Sequence, residues 1–294
     1  MSAPPSPDAV VSNGVVEVRV PATHGPRIAH YGFVDGTNVL GDGAGVERDT
    51  PRGLWRAYGG HRLWAAPEIF PDTYTIDDAP PAIERTDRRI VARGPRDPLS
   101  GLTKSFTVEV ADAGTEVTVR HAIANDGDEP RRFAPWALTV ARPGGTALIP
   151  NPHFAPQPEA LLPARTISVW RYTDFADGRF AFGPSFLRLR CEPGARDPNK
   201  IGVANERGWF AYAVDGVAFV LRAAYDANGE YPDRGCSVEV YSAGPFCELE
   251  TLAPLVTVPP GGVAEHVERW SLVRDVDATD DASLARVLGK HVEE

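Results

Sequence analysis

Two apolar runs, Trp209–Val214 and Val217–Tyr225, meet at Asp215-Gly216. A two-residue Asp-Gly link takes the positive backbone angles of a turn whose twist matches two paired strands, so this stretch predicts a β-hairpin. The same grammar runs through the chain. In Glu116–Ala124, Val117, Val119, His121 and Ile123 share one face, while Glu116, Thr118 and Arg120 share the other. That period of two marks a half-buried antiparallel strand, and Asn125-Asp126-Gly127-Asp128 after it reads as a turn. Further strands fit Val15–Val20, Ile90–Ala92, Leu102–Val110, Phe133–Val140, Ser168–Tyr172, Phe186–Cys191, Ser237–Tyr241, Cys247–Val258 and His266–Val273. A weaker hairpin joins Val238–Val240 to Leu249 across Ser242-Ala243-Gly244-Pro245. The one clear helical stripe is Leu284, Val287, Leu288 and Val292, capped by Thr279 or Asp280. Many short strands with so little helix predict an all-β sandwich or barrel.

The 28 glycines and 28 prolines are spread along the 294 residues, as turns between strands require. No linker divides the chain. The expected organisation is a Pro- and Ser-rich disordered tail over residues 1–13, a single β domain over 14–275, and a C-terminal helix over 276–294 that packs on or trails it. The net charge of −10 and the lack of a basic stripe argue against nucleic acid as a partner. No apolar run reaches the roughly 18 residues of a membrane helix, and Met1–Gly14 has neither the basic start nor the apolar centre of a signal peptide. Cys191, Cys236 and Cys247 are odd in number and sparse, which points to a reducing compartment and a cytoplasmic protein. A monomer or homodimer is expected.

Chemistry concentrates in two segments. Tyr58-Gly59-Gly60-His61-Arg62-Leu63-Trp64 and the following Glu68 combine a sharp backbone turn, two donors, a flat apolar ring and an acceptor. That set suits a sugar, with its apolar C–H patches and hydroxyl rim; a turn, a core Trp and a surface His-Arg pair is the plain alternative. In Phe246–Leu255, Glu248 and Glu250 fall on one face of a strand, with Leu249 turned to the core. Two like carboxylates raise each other's proton affinity and make one a candidate general base. Lys200, in a tight polar loop, and Tyr231 with Asp233, in a turn, could line a mouth, although Asp-Arg turn pairs such as Asp233-Arg234 are more often structural. His121 reads as a satisfied core histidine and His153 as a loop residue. Glu265, His266 and Glu268 have spacing that could serve a metal, but read as exposed sheet residues; no metal and no cofactor are expected. Gly144–Gly202, broken by many prolines, is the least regular stretch, as functional loops often are.

YGGHRLWAAPE and FCELETLAPLVTVPPGG, with KIGVANERGWFAY and YPDRGCSVEVY between them, resemble an uncharacterised bacterial domain family placed with the galactose mutarotase-like (aldose 1-epimerase-like) proteins. The resemblance spans most of residues 14–274. It implies a β-supersandwich of large antiparallel sheets with few helices. Mutarotases use a glutamate as general base and a histidine as general acid. On the motif match Glu250 is the base candidate, and Gly59–Trp64 would line the sugar site. Phe133–Thr139, where the acid histidine would follow, holds none, and Trp136 resembles a stacking platform instead; His61 would then serve as acid from a different position, or the mutarotase reaction is not the one performed.

The resulting expectation is a cofactor-free isomerase of mutarotase or epimerase type acting on a sugar or sugar-like metabolite. Glu250, His61 and Glu248 would be catalytic, and Arg62, Trp64, Glu68, Trp136, Lys200, Tyr231 and Asp233 would bind substrate. The alternatives are a non-catalytic carbohydrate-binding module, or an isomerase or cyclase of a non-sugar metabolite.

Overall fold

The computed structural model describes residues 8–293. Two large antiparallel sheets face each other. The larger has ten strands, in the order Phe180–Phe182, Phe186–Arg190, Thr146–Pro150, Trp209–Val214, Val217–Ala223, Val263–Arg274, Val117–Asn125, Leu102–Val110, Arg89–Arg96 and Ala82–Arg85. The smaller has seven: Ile167–Val169, Asn199–Val203, Val238–Ala243, Phe246–Leu252, Arg131–Val140 and Val256–Val258 in order, with His61–Ala66 against the free side of Arg131–Val140. The side chains of both inner faces make the main core, among them Ile90, Val108, Val119, Phe219, Val240, Leu249 and Trp270.

The hairpin at Asp215-Gly216 forms as the sequence predicts, with φ of 49° and 76°. The second hairpin turns at Gly244-Pro245, between Val238–Ala243 and Phe246–Leu252. Val117, Val119, His121 and Ile123 all point inward. The Cys247–Val258 run is two strands rather than one, broken at Ala253–Leu255.

Two boundaries are corrected. Ala9–Ser12, placed in a disordered tail by its neighbours' composition, pairs with Val16–Val20 and buries Val11 under the sandwich. Four residues suffice because the turn supplies its own bonds: Asn13 Oδ1 accepts from the Val15 and Val16 amides. Residues 1–7 of that tail lie outside the described residues. The C-terminal helix, Asp281–Glu293, packs on the outer face of the ten-stranded sheet, where Leu284 and Leu288 meet Leu148, Phe186 and Trp209. Among the described residues no helix is long and apolar enough to cross a membrane.

Candidate functional site

The outer face of the seven-stranded sheet carries the candidate site. Strand alternation and register decide which residues reach it. Arg62 lies opposite Leu138, which lies opposite Glu250; Glu250 in turn faces Glu239. Two residues along in one direction Trp64 and Trp136 are partners, and two residues along in the other Glu248 pairs with Tyr241 and Tyr241 with Lys200. All these residues project from one face of the sheet.

Arg62, Trp64, Trp136, Leu138, Lys200, Tyr241 and Glu248 line a cavity of about 440 Å³, within the range of small-ligand sites, with Glu250 and Glu239 beneath it. Its lining is aromatic: Trp55, Trp64, Tyr74, Trp136, Trp170, Tyr172, Tyr241 and Phe246. The walls come from outside the sheet. The hairpin Glu47–Thr50/Gly53–Arg56 brings Trp55, and the irregular stretch within Gly144–Gly202 brings Trp170 and Tyr172. Trp55, Trp64 and Tyr74 pack tilted or edge-on at 5.1–5.8 Å between ring centres, which fixes their faces.

Charge sits among these rings in two groups. Arg62 donates from Nη2 to Glu248 Oε1 at 2.8 Å, and its guanidinium lies 4.5 Å from the centre of the Trp64 ring. Its Nε and Nη1, and the indole nitrogens of Trp55 and Trp64, have no hydrogen-bond partner among the described residues. Burial first, then repulsion from Glu250, raises the Glu248 carboxyl above its ordinary range against the pull of Arg62. The second group is a buried cation shared by two carboxylates. Lys200 Nζ lies 2.7 Å from Glu239 Oε2 and 2.8 Å from Glu250 Oε2, with the Trp136 and Trp170 rings 5.0 and 4.6 Å away. Burial works against the charged lysine, but the two glutamates outweigh it and hold its proton more tightly than usual. Glu239 is raised well above the carboxylate range by burial, with Glu250 adding to it. Trp136 Nε1 donates to the same Glu250 oxygen that Lys200 bonds.

Arg62, Trp64, Glu68, Trp136, Lys200 and Glu248 therefore come together as the sequence suggests. Glu68, at the rim, accepts a short hydrogen bond from the Tyr74 hydroxyl. The remaining site expectations are corrected. Glu250 is on the right face but beneath the floor: it is fully buried, does not line the cavity, and is occupied by Lys200 and Trp136. His61 neighbours Arg62 in a strand and so points the opposite way, into the space between the sheets. There its Nδ1 meets Thr139 Oγ1 at 2.9 Å and its Nε2 meets His121 Nε2 at 2.7 Å. No ligand in the cavity can touch it. Tyr231 stacks on Tyr225, and Asp233, with φ of 49°, sits in a turn whose carbonyl accepts from Ser168 Oγ; neither lines the cavity.

The His61 side has a further surprise. His266 and Glu268 are buried rather than exposed, since the strand that carries them is central and alternates inward at even numbers; Glu265 is exposed as expected. Burial pushes His121 down to about 3 and His266 to about 4, and pushes Glu268 up to about 7. Glu239 is the site residue that sequence reading missed. Counting back across a two-residue turn at Gly244-Pro245 pairs it with Glu250.

Two sandwiched sheets with a ligand-sized cavity on the outer face of one define a class of β-supersandwich. Solved structures place it more narrowly: the chain has the galactose mutarotase-like fold. A galactose mutarotase-like protein from Lactobacillus casei is similar over 91% of this chain and 100% of its own, with a TM-score of 0.57 and 11% identity. A candidate aldose 1-epimerase from Klebsiella pneumoniae is similar over 96% of this chain and 81% of its own (TM-score 0.62, 11% identity). One from Escherichia coli K12 is similar over 91% and 99% (TM-score 0.59, 12% identity). No protein-family model and no curated protein sequence matches the chain.

Proposed function

We propose that the cavity binds a sugar or sugar-like metabolite and that the protein is an isomerase of mutarotase or epimerase type acting by proton transfer. The observation that carries this reading is a carboxylate of raised proton affinity, Glu248, set in the wall of a cavity lined by four tryptophans. Indole faces take the C–H patches of a pyranose ring, and the charged Arg62 and Lys200 side chains that line the cavity suit its oxygens. Glu248 takes the proton from the anomeric hydroxyl, whose electron pair forms the carbonyl as the bond from the anomeric carbon to the ring oxygen breaks; a tyrosine O–H gives the ring oxygen its proton, and the transfers reverse on closure to the other anomer. Tyr241 and Tyr172, kept protonated first of all by burial, supply O–H donors across the cavity, and Lys200 adds a fixed positive charge. Glu250 and Glu239 hold Lys200 and Trp136 in position. Two of the structures similar to this chain are candidate aldose 1-epimerases, which supports the reaction class.

Exchange NMR on a panel of aldoses and sugar acids, following anomer interconversion, tests the proposal. Wild type should accelerate exchange for at least one ligand, and Glu248→Gln should lower that rate about 100-fold or more while tryptophan fluorescence still reports binding. Undiminished turnover in Glu248→Gln removes that residue from the chemistry. A specific observation favours a second reading, a non-catalytic carbohydrate-binding module: His61 faces away and Glu250 is closed under the floor. Binding without any exchange would select it.

A further inference from the structure

Between the two sheets, remote from the aromatic cavity, three side chains converge from three strands. His61 comes from the seven-stranded sheet; His121 and Glu268 come from neighbouring strands of the ten-stranded sheet. All are fully or almost fully buried, and one ligand atom of each lies within 4.8 Å of the others. His61 Nε2 is 2.7 Å from His121 Nε2 and 3.7 Å from Glu268 Oε2. From these separations a point between the three atoms is at most about 2.4 Å from each, against about 2.0–2.2 Å for zinc bound to imidazole or carboxylate.

The surrounding hydrogen bonds set each group for ligation. His121 Nδ1 lies 3.2 Å from the His266 carbonyl oxygen, which can only accept. The proton of neutral His121 is therefore on Nδ1, and Nε2 presents a bare lone pair. His61 Nε2 therefore donates the proton of the 2.7 Å bond to His121, and ligation requires that proton to pass to Nδ1, where the Thr139 hydroxyl oxygen accepts it. Glu268 is oriented from both sides: Trp270 Nε1 donates to Oε2 at 2.9 Å, and the Thr251 hydroxyl donates to Oε1. Outer partners of this kind, one for every ligand, fix ring orientation and tautomer in metal sites. Because the Thr251 proton goes to Glu268, His266 Nε2 donates to Thr251 Oγ1 and steadies that hydroxyl from behind.

From this arrangement we propose that His61, His121 and Glu268 form a buried site for one divalent transition-metal ion of the zinc type, clamping the two sheets together. Two imidazoles and a carboxylate suit zinc or cobalt, and the lack of solvent access makes the site structural rather than catalytic. Holding a cation requires the two imidazole nitrogens to part by about 0.6 Å, to a tetrahedral separation. Because the cluster closes only when the sheets meet, the ion enters during folding and leaves slowly afterwards. The site lies on the far side of the sheet from the cavity, so it stands or falls independently of the sugar reading.

The test is refolding of the full chain from denaturant with excess Co²⁺, or with chelator, followed by desalting and elemental analysis. Wild type should retain about one ion per chain, show the visible absorption of tetrahedral cobalt, and melt higher than the chelator-refolded sample. Glu268→Gln and His121→Gln, which keep the shape, should retain less than about a tenth as much. The proposal is overturned if folded wild type retains no ion, or if both variants retain as much as wild type. Should the variants fail to fold, the histidine ring signals of ¹⁵N-labelled wild type decide. Zinc-dependent shifts of the His61 and His121 Nε2 resonances support the site, and their absence sinks it.

Discussion

Replacing Lys200 with Met removes the positive charge under the cavity and leaves its volume nearly filled. Glu239 and Glu250 then oppose each other on adjacent strands with no cation between them. Both are fully buried, so neither is screened by water. Breaking a buried ion pair from one side costs about 3–5 kcal/mol, because the partner charge is left uncompensated. Unfolding a domain of this length has an entropy of about 0.6 kcal/mol/K, so the melting temperature should fall by about 5–8 °C at pH 8. The loss must depend on pH, and its sign follows from Glu239. Burial already lifts this carboxyl in the wild type, and removing Lys200 removes the group that pulls it down. A carboxyl with a raised folded pKa binds its proton more tightly in the native state. Its penalty is therefore absent below the unfolded value of about 4.3 and grows as pH rises through the folded value. The gap between Lys200→Met and wild type should thus narrow from pH 8 to pH 5, and adding Glu239→Gln should recover part of it. Calorimetry at the two pH values gives the answer. A variant that melts within 1 °C of wild type at pH 8, or whose deficit is the same at pH 5, would refute the shared-cation account.

Two further predictions concern the scaffold. Leu284→Ala opens a hole where the C-terminal helix meets Leu148, Phe186 and Trp209, and should cost about 2–4 kcal/mol by denaturant titration while leaving ligand-induced fluorescence changes intact. Gly60→Ala should be worse. Gly60 has φ of 65°, and a Cβ there would stand 2.2 Å from the Ile28 carbonyl oxygen, a backbone atom that accepts from the His61 amide. A fall of at least about 2 kcal/mol is expected in the same titration.

What could be read from the chain, and what could not, divides along a single physical line. Local signals survive without the structure: the Asp215-Gly216 turn, the alternation through His121, and the helical stripe of Leu284 and Leu288 each depend on residues a few positions apart. The aromatic and charged character of Gly59–Trp64 and of Phe246–Leu252 is equally local, and Arg62, Trp64, Glu248 and Lys200 do meet in one cavity. Which face a residue takes is local only relative to its own strand. His61 and Arg62 must point opposite ways in any strand, but nothing near them says which of the two shares a face with Glu250; that is set by pairing through Leu138, more than seventy positions on. The same missing register hid the buried cluster. His61, His121 and Glu268 are each unremarkable in their own segments, and only the closure of one sheet on the other brings them together. A one-residue slip between Arg131–Val140 and His61–Ala66 would exchange the two histories, putting His61 in the cavity and Arg62 in the core. In the slipped register Arg62 would lose its bond to Glu248 and its place against the Trp55 and Trp64 rings, and His61 its bonds to Thr139 and His121. Pairing on both sides of the sheet thus favours the observed register, and with it the division of this sheet into one face for a ligand and one for the core.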